Sequence, residues 1–289
     1  MQKKKLDSSK IKILVCCHKP CELPKDDIFL PIQVGAAISD VDLGMQRDDQ
    51  VNGEPCDNIS IKNKSYCELT AMYWAWKNIK KIYPDLEYIG LNHYRRYFDF
   101  SCKHSLLEDF VLEENDVKNY LLNVNKLSEL LNRKRFLISK HHMYKFSMYY
   151  TYCLFYNSED YRLLKDAVRK IHPDFYDDFV TVMEKSNIYS PYNMFVMQYS
   201  DFSNYCTWLF SILKEVESKS IYEHYAPQQM RLFGYMAEFL TRVYLHKHMK
   251  HTKELMVNVY RDDIKKMNLF MQIIKTLRSK IIFFFLRYL

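Results

Sequence analysis

Tyr88-Ile89-Gly90-Leu91-Asn92-His93-Tyr94-Arg95-Arg96-Tyr97-Phe98 is a short apolar run that ends abruptly in a histidine, two adjacent arginines and aromatic rings. The apolar half has the length of a buried strand. Two guanidinium groups at its exit suit an anion held at the carboxyl edge of a sheet, where open α/β sheets place their ligands.

The flanking segments extend this pattern. Upstream, Tyr66 to Lys81 carries Leu69, Met72, Tyr73 and Trp76 at three- and four-residue spacing, which predicts a helix stopped by Pro84. Lys10 to Cys17 reads as a buried first strand, ended by His18-Lys19-Pro20. Pro31 to Asp57 reads as loop. Strand, loop, helix, strand is the start of an α/β sheet. Downstream, 106–135 reads as a polar helix, 136–139 as a strand, 158–170 and 174–186 as helices, 192–197 as a strand, and 202–218 and 227–248 as amphipathic helices.

Composition narrows the chemistry. The 289 residues are 48% hydrophobic, enough for a core and too apolar for a disordered chain. Glycine is scarce, at 5, and neither a dinucleotide fingerprint nor a Walker-type loop occurs. Both need glycine for close backbone approach, so any phosphate must be held by side chains or helix ends. A net charge of +7 fits an anionic partner: a nucleotide-sugar, a membrane surface or nucleic acid. The eight cysteines form no Cys-x-x-Cys pair, which disfavours a zinc ribbon. Residues 1–10 are charged and lack the apolar core of a signal peptide, so reduced thiols in the cytoplasm are expected.

The expected organisation is a polar leader over 1–10, one catalytic domain over 11–258 and a basic amphipathic tail over 259–289. In the tail, Phe270, Ile273, Ile274, Leu277, Ile281, Phe284 and Phe285 follow helical spacing, with Lys265, Lys266, Lys275, Arg278, Lys280 and Arg287 between them. Its uninterrupted apolar run is far shorter than the roughly 20 residues of a membrane span. Such a helix can lie on an anionic membrane face or dock on its own domain.

Asn58-Ile-Ser60, Asn63, Tyr66-Cys-Glu-Leu-Thr70, Tyr73-Trp-Ala-Trp-Lys-Asn78 and Gly90-x-x-His93-Tyr-Arg-Arg-Tyr-Phe98 together resemble the DUF4422 family. His18-Lys19, Pro31-Ile-Gln-Val-Gly35, Asn193-Met-Phe-Val-Met197 and Arg231-Leu-Phe-Gly-Tyr-Met-Ala-Glu238 extend the resemblance over roughly 11–248. It implies bacterial glycosyltransferases of capsule and O-antigen polysaccharide synthesis. It also implies a GT-A-like fold, a Rossmann-related mixed sheet flanked by helices. In that fold a strand near residue 90 commonly ends in Asp-x-Asp, holding a metal on the donor diphosphate. Here the strand ends in Asn92-His93-Tyr94-Arg95-Arg96. Arginines can offset leaving-group charge as a metal does, so a metal-independent reaction is favoured, with manganese or magnesium as the alternative.

Arg95, Arg96, His18 and Lys19 are the candidate diphosphate ligands. Neighbours on a strand face opposite ways, so one of the two arginines is expected to reach the phosphates. Asp57, Asn58, Ser60, Asn63, Trp74 and Asn92 are candidates for the nucleotide and donor sugar, although Ser60 or Asn63 could simply cap a helix. Asn193 and Arg231 are candidates for the acceptor side. Glu238, His93 and Glu68, the last placed inside the aromatic helix, are equal candidates for the catalytic base. Asp40-Val41-Asp42 is a weak metal candidate.

The expected activity is transfer of a hexosyl group, galactofuranosyl being one case, from a nucleotide-diphosphate sugar, foremost a UDP-sugar. The expected acceptor is a lipid-linked saccharide, and the expected location is the inner face of the cell membrane. The alternative is a non-enzymatic basic and aromatic protein that binds glycan or nucleic acid. Basic residues spread over the whole chain argue against nucleic acid.

Overall fold

The computed structural model describes residues 6–101, 109–112, 114–261, 274, 277–278 and 281–285. Strand β1 (Ile11–Cys17) is buried along nearly its whole length, as a central strand covered on both faces must be. Strand β2 (Phe29–Gln33) lies parallel to it, Val15 opposite Pro31. This corrects the loop expected from Pro31 onward. Val34 N donates to Cys17 O, so even-numbered residues face β1 and Pro31 points away. On that far side, pairing with β3 (Gln46–Arg47) begins only at Ile32, so the missing N–H of proline costs no ladder bond. A small hairpin of β4 (Gln50–Val51) and β5 (Glu54–Pro55) follows.

Helices α1 (Asn63–Tyr66) and α2 (Leu69–Ile82) replace the single helix expected over 66–81. The break is Cys67, whose φ of 52° and ψ of −130° no helix can contain. Glu68 is therefore the N-cap residue of α2 and not a position inside the helix. Leu69, Met72, Ala75 and Ile79 are buried on the inner face of α2. Tyr83 leaves the helical region just before Pro84.

Strand β6 (Tyr88–His93) pairs in parallel with β1, Leu14 opposite Leu91. The chain turns at Tyr94-Arg95 and returns as β7 (Arg96–Phe98), with His93 opposite Arg96. Strand β8 (Asp109–Leu112) and helix α3 (Val124–Arg133) stand where one long helix was expected. Asn123 sets the start of α3 by accepting from Lys126 N.

The remaining elements are β9 (Phe136–Ser139), β10 (His142–Met143), α4 (Met148–Phe155), α5 (Ser158–Ile171), α6 (Tyr176–Lys185), β11 (Ile188–Tyr189), β12 (Phe195–Gln198), α7 (Tyr199–Glu217), α8 (Pro227–Met230), α9 (Leu232–His246), β13 (Thr252–Leu255) and β14 (Val257–Tyr260). The helix expected from 227 is thus two helices meeting at Arg231, and the strand expected from Tyr192 begins at Phe195.

The sheet runs β13-β9-β12-β6-β1-β2-β3, with β7, β14 and β8 continuing from β6. Strand β12 is antiparallel to both β6 and β9, and the other pairings along the main path are parallel. The exits of β1, β6 and β9 therefore share one edge with the entry to β12. Gly90 lets β6 and β12 close up: a Cβ there would meet Phe195 O at 2.9 Å. Helices α2, α4, α5, α6, α7 and α9 contribute to one large core that includes Trp74, Phe202 and Phe233. Tyr97, Phe98 and Leu127 belong to the second core, on the other side. The fold is the mixed sheet flanked by helices that the sequence implied.

In the tail, 277–278 and 281–285 are helical. Ile274, Leu277, Ile281, Phe284 and Phe285 are 39% to 67% exposed. Phe270, Ile273, Lys265, Lys266, Lys275, Lys280 and Arg287 lie outside the described residues. Among the described residues, no helix is long and apolar enough to cross a membrane.

Candidate functional site

A cleft of about 970 Å³ opens where β1 and β6 end and β12 begins. His18, Lys64, Arg95, Arg96, Arg231 and Arg261 bring basic side chains to its wall, against the two carboxyl groups Glu68 and Glu238.

Tyr94 organises one bank. His18 meets its ring edge-on at 5.2 Å, Arg95 lies over it at 5.3 Å and Lys19 Nζ stands 5.8 Å from its centre. Burial, then the charges of Lys19, Arg231 and Arg95, holds His18 below the usual histidine pKa. Arg96 takes a different support, stacking 4.5 Å over the ring of Tyr192. Its Nε is buried and has no hydrogen-bond partner among the described residues. Both arginines line the cleft, so strand alternation does not put them on opposite sides of the sheet. Alternation fails because Arg95 sits in the turn and Arg96 opens the returning strand.

The three candidate bases meet at one backbone segment. His93 Nε2 donates to Tyr192 O at 2.7 Å. A carbonyl can only accept, so Nε2 carries the proton and Nδ1 keeps its lone pair. Tyr192 N donates to Glu238 Oε1 at 2.7 Å, and Asn193 Nδ2 donates to Glu68 Oε1 at 2.6 Å. Tyr192 and Asn193 both have positive φ, 75° and 51°. For tyrosine that is strained, and the surrounding bonds must hold it. Asn193 Nδ2 also donates to Gly234 O at 3.0 Å, tying the knot to α9. Burial, then the neighbouring charge of Glu68, pushes the Glu238 carboxyl up to about 8. Burial, before any charge, lowers His93.

Arg231 Nε donates to Cys67 Sγ at 3.4 Å, joining the start of α9 to the break before α2. Gly234 makes that approach possible, since a Cβ there would meet Cys67 Sγ at 3.0 Å.

Several expected ligands lie elsewhere. Trp74 is fully buried and donates to Gln50 O at 2.8 Å, so it is core. Asn92 is fully buried and, one residue from His93 on the strand, faces the other side of the sheet. Asp57 accepts from Tyr73 Oη at 3.1 Å and Asn58 closes a turn onto Ser60 N at 3.0 Å. Ser60 is buried and donates to Asp48. Asp57, Asn58, Ser60, Trp74, Asn92, Asn193 and Lys19 are not among the cleft-lining side chains, whereas Asn63 is. Asn193 acts from behind, through Glu68. Asp40 and Asp42 are exposed, and Asp42 Oδ1 only caps a turn at Gly44 N. Among the described residues, no group of three or more His, Cys, Asp or Glu side chains is placed to hold a metal ion.

Sequence reasoning missed Lys64, Tyr94, Tyr192 and Arg261. Arg261 had a signal: Val257 to Tyr260 is a short strand that ends in arginine, as the 88–98 segment does.

The fold is similar to the apo structure of the WbbM bifunctional glycosyltransferase, with a TM-score of 0.76 and 28% identity. The match covers 88% of this chain and 46% of that one, so this chain corresponds to about half of that protein. No curated protein matches. The pattern of DUF4422, described as a domain of unknown function, matches residues 12–251. The chain belongs to the DUF4422 family.

Proposed function

We propose that the chain is a glycosyltransferase of polysaccharide synthesis, with a GT-A-like site. It moves a hexosyl group from a nucleotide-diphosphate sugar, foremost a UDP-sugar, to a saccharide acceptor. The carrying observation is Arg96: a cleft-lining guanidinium held by Tyr192, with a buried Nε that lacks a partner. A guanidinium on a cleft wall can offer forked, charge-assisted hydrogen bonds to phosphate oxygens. The likeness to WbbM supports the reading.

In the proposed reaction the acceptor oxygen bonds to the anomeric carbon and gives its proton to Glu238. The bond from that carbon to the β-phosphate oxygen breaks. The nucleoside diphosphate leaves with the electron pair, and Arg95 and Arg96 take up its growing charge. A carboxyl with a pKa near 8 is well matched to this base role, because a base should titrate near the working pH. Burial does most of the raising, and the neighbouring charge of Glu68, held by Asn193, adds to it. The guanidinium groups do the work of a metal, so none is required.

A lipid-linked acceptor at the inner membrane face belongs to the same proposal. The exposed apolar side chains of the tail, with Arg278 among them, support a helix lying on an anionic surface. The test is nucleotide release from UDP-, GDP- and dTDP-sugars in the presence of glycan acceptors. Release from one donor, lost in Glu238→Gln, is expected. No release from any donor, with no thermal shift by any nucleotide, overturns the proposal.

A further inference from the structure

Helix α4 presents an apolar face to solvent beside the cleft. Phe146, just before the helix, and Tyr150 and Leu154 within it recur every four residues and are 40%, 62% and 63% exposed, and Phe155 beside them is 60% exposed. The rings of Phe146 and Tyr150 lie 6.3 Å apart, forming one surface. The opposite face of the helix, Met148, Thr151 and Tyr152, is buried. No charged residue occurs in α4, and exposed Lys145 precedes it. The next helix behaves as a solvated helix should: α5 turns Glu159, Arg162 and Asp166 outward and pairs them. The exposed apolar face of α4 thus contrasts with the paired charges of its neighbour α5.

Its position is informative. Thr151 and Phe155 of α4, with adjacent Tyr156, line the cleft. Phe155 thus belongs both to the exposed stripe and to the cleft wall.

We propose that the α4 stripe is a membrane-docking surface, which sinks Phe146, Tyr150 and Leu154 into the headgroup region so that the cleft mouth opens onto the bilayer. This rests on the reading of a lipid-linked acceptor and adds a second point of contact to the tail. Tyrosine and phenylalanine suit the interface, where one end of the ring region is apolar and the other wet, and lysine suits anionic headgroups. A second copy of the chain fits less well. At roughly 150–250 Å² per aromatic, four side chains about half exposed offer on the order of 400 Å². That is half of the roughly 800 Å² per partner that a stable dimer buries. A second copy seated there would also obstruct the cleft.

The test uses the full chain and vesicles of phosphatidylglycerol with brominated phosphatidylcholine. Tyr150→Trp adds an indole at the centre of the stripe. Its emission should be quenched by brominated vesicles and not by unbrominated ones, beyond any quenching of the parent chain. Tyr150→Glu with Leu154→Glu should lower vesicle partitioning about tenfold while leaving the melting temperature and the thermal shift by UDP unchanged. Absence of added quenching overturns the proposal. So does unchanged partitioning of the double variant, or a dimer in sedimentation that the double variant dissociates. Neither readout involves turnover, so they fail or succeed apart from the glycosyltransferase reading: quenching with no release from any donor and no thermal shift by any nucleotide would sink that reading and leave the docking surface standing.

Discussion

The backbone of Tyr192 is bonded on both sides within the cleft: its N–H donates to Glu238 at 2.7 Å and its carbonyl accepts from His93 at 2.7 Å. A tyrosine at φ 75° is held there by partners, and those partners are the groups able to move a proton. These two bonds fix Glu238 and His93 relative to each other, and the bond from Asn193 ties Glu68 to the same segment.

Glu238 should give the reaction a pH profile. Its carboxyl titrates near 8, so turnover should rise with pH and level off above about 8. Glu238→Gln should cost roughly 100-fold or more in kcat while donor affinity stays within a few-fold, as for a lost general base. Stability carries the same signature. The folded chain keeps a proton that the unfolded chain has lost between about 4.5 and 8, so stability falls as pH rises through that window. Thermal melts of Glu238→Gln should lack this component, with a melting point several degrees above the parent at pH 8 by an order-of-magnitude reckoning.

Arg96→Ala should raise the transfer barrier by about 2–4 kcal/mol, the cost of one lost donor to developing charge. Arg96→Lys should recover only part, because an ammonium reproduces neither the fork nor the stacking on Tyr192. Steady-state kinetics with the identified donor measures both. Wild-type rates in Arg96→Ala would remove it from the diphosphate site.

Asn193→Ala should lower stability by about 1–3 kcal/mol, since it leaves Gly234 O and Glu68 short of a buried donor. It should also shift the pH profile of turnover, because Glu68 is then free to move relative to Glu238. Urea unfolding and the pH–rate curve separate the two effects.

Activity should survive EDTA. Complete loss restored by manganese would mean that the arginines do not suffice for the leaving diphosphate.

What the sequence made legible was what local periodicity dictates. The continuous apolar runs of β1 and β6 and the amphipathic faces of α5, α6 and α7 follow directly from residue spacing. The basic cluster at the exit of β6 pointed to the edge of the sheet where the cleft opens. The structure differed where a tertiary contact overrides spacing. Cys67 breaks a helix whose pattern is uninterrupted, because Arg231 and Gly234 approach it from α9. Strand β2 carries a proline that only its edge-side pairing excuses. Trp74 is an aromatic on a motif helix, and nothing local separates it from a sugar platform; depth in the core does. Tyr192 gave no signal, since positive φ at a tyrosine comes from the groups around it.

The most direct test of the account is a calorimetric titration of UDP and of uridine into the parent chain and into Arg96→Ala. The account predicts that UDP binds the parent at least tenfold more tightly than uridine, and that Arg96→Ala removes most of this difference while leaving uridine affinity unchanged. Equal binding of UDP and uridine to the parent, or a diphosphate preference that persists in Arg96→Ala and in Arg95→Ala, would contradict it.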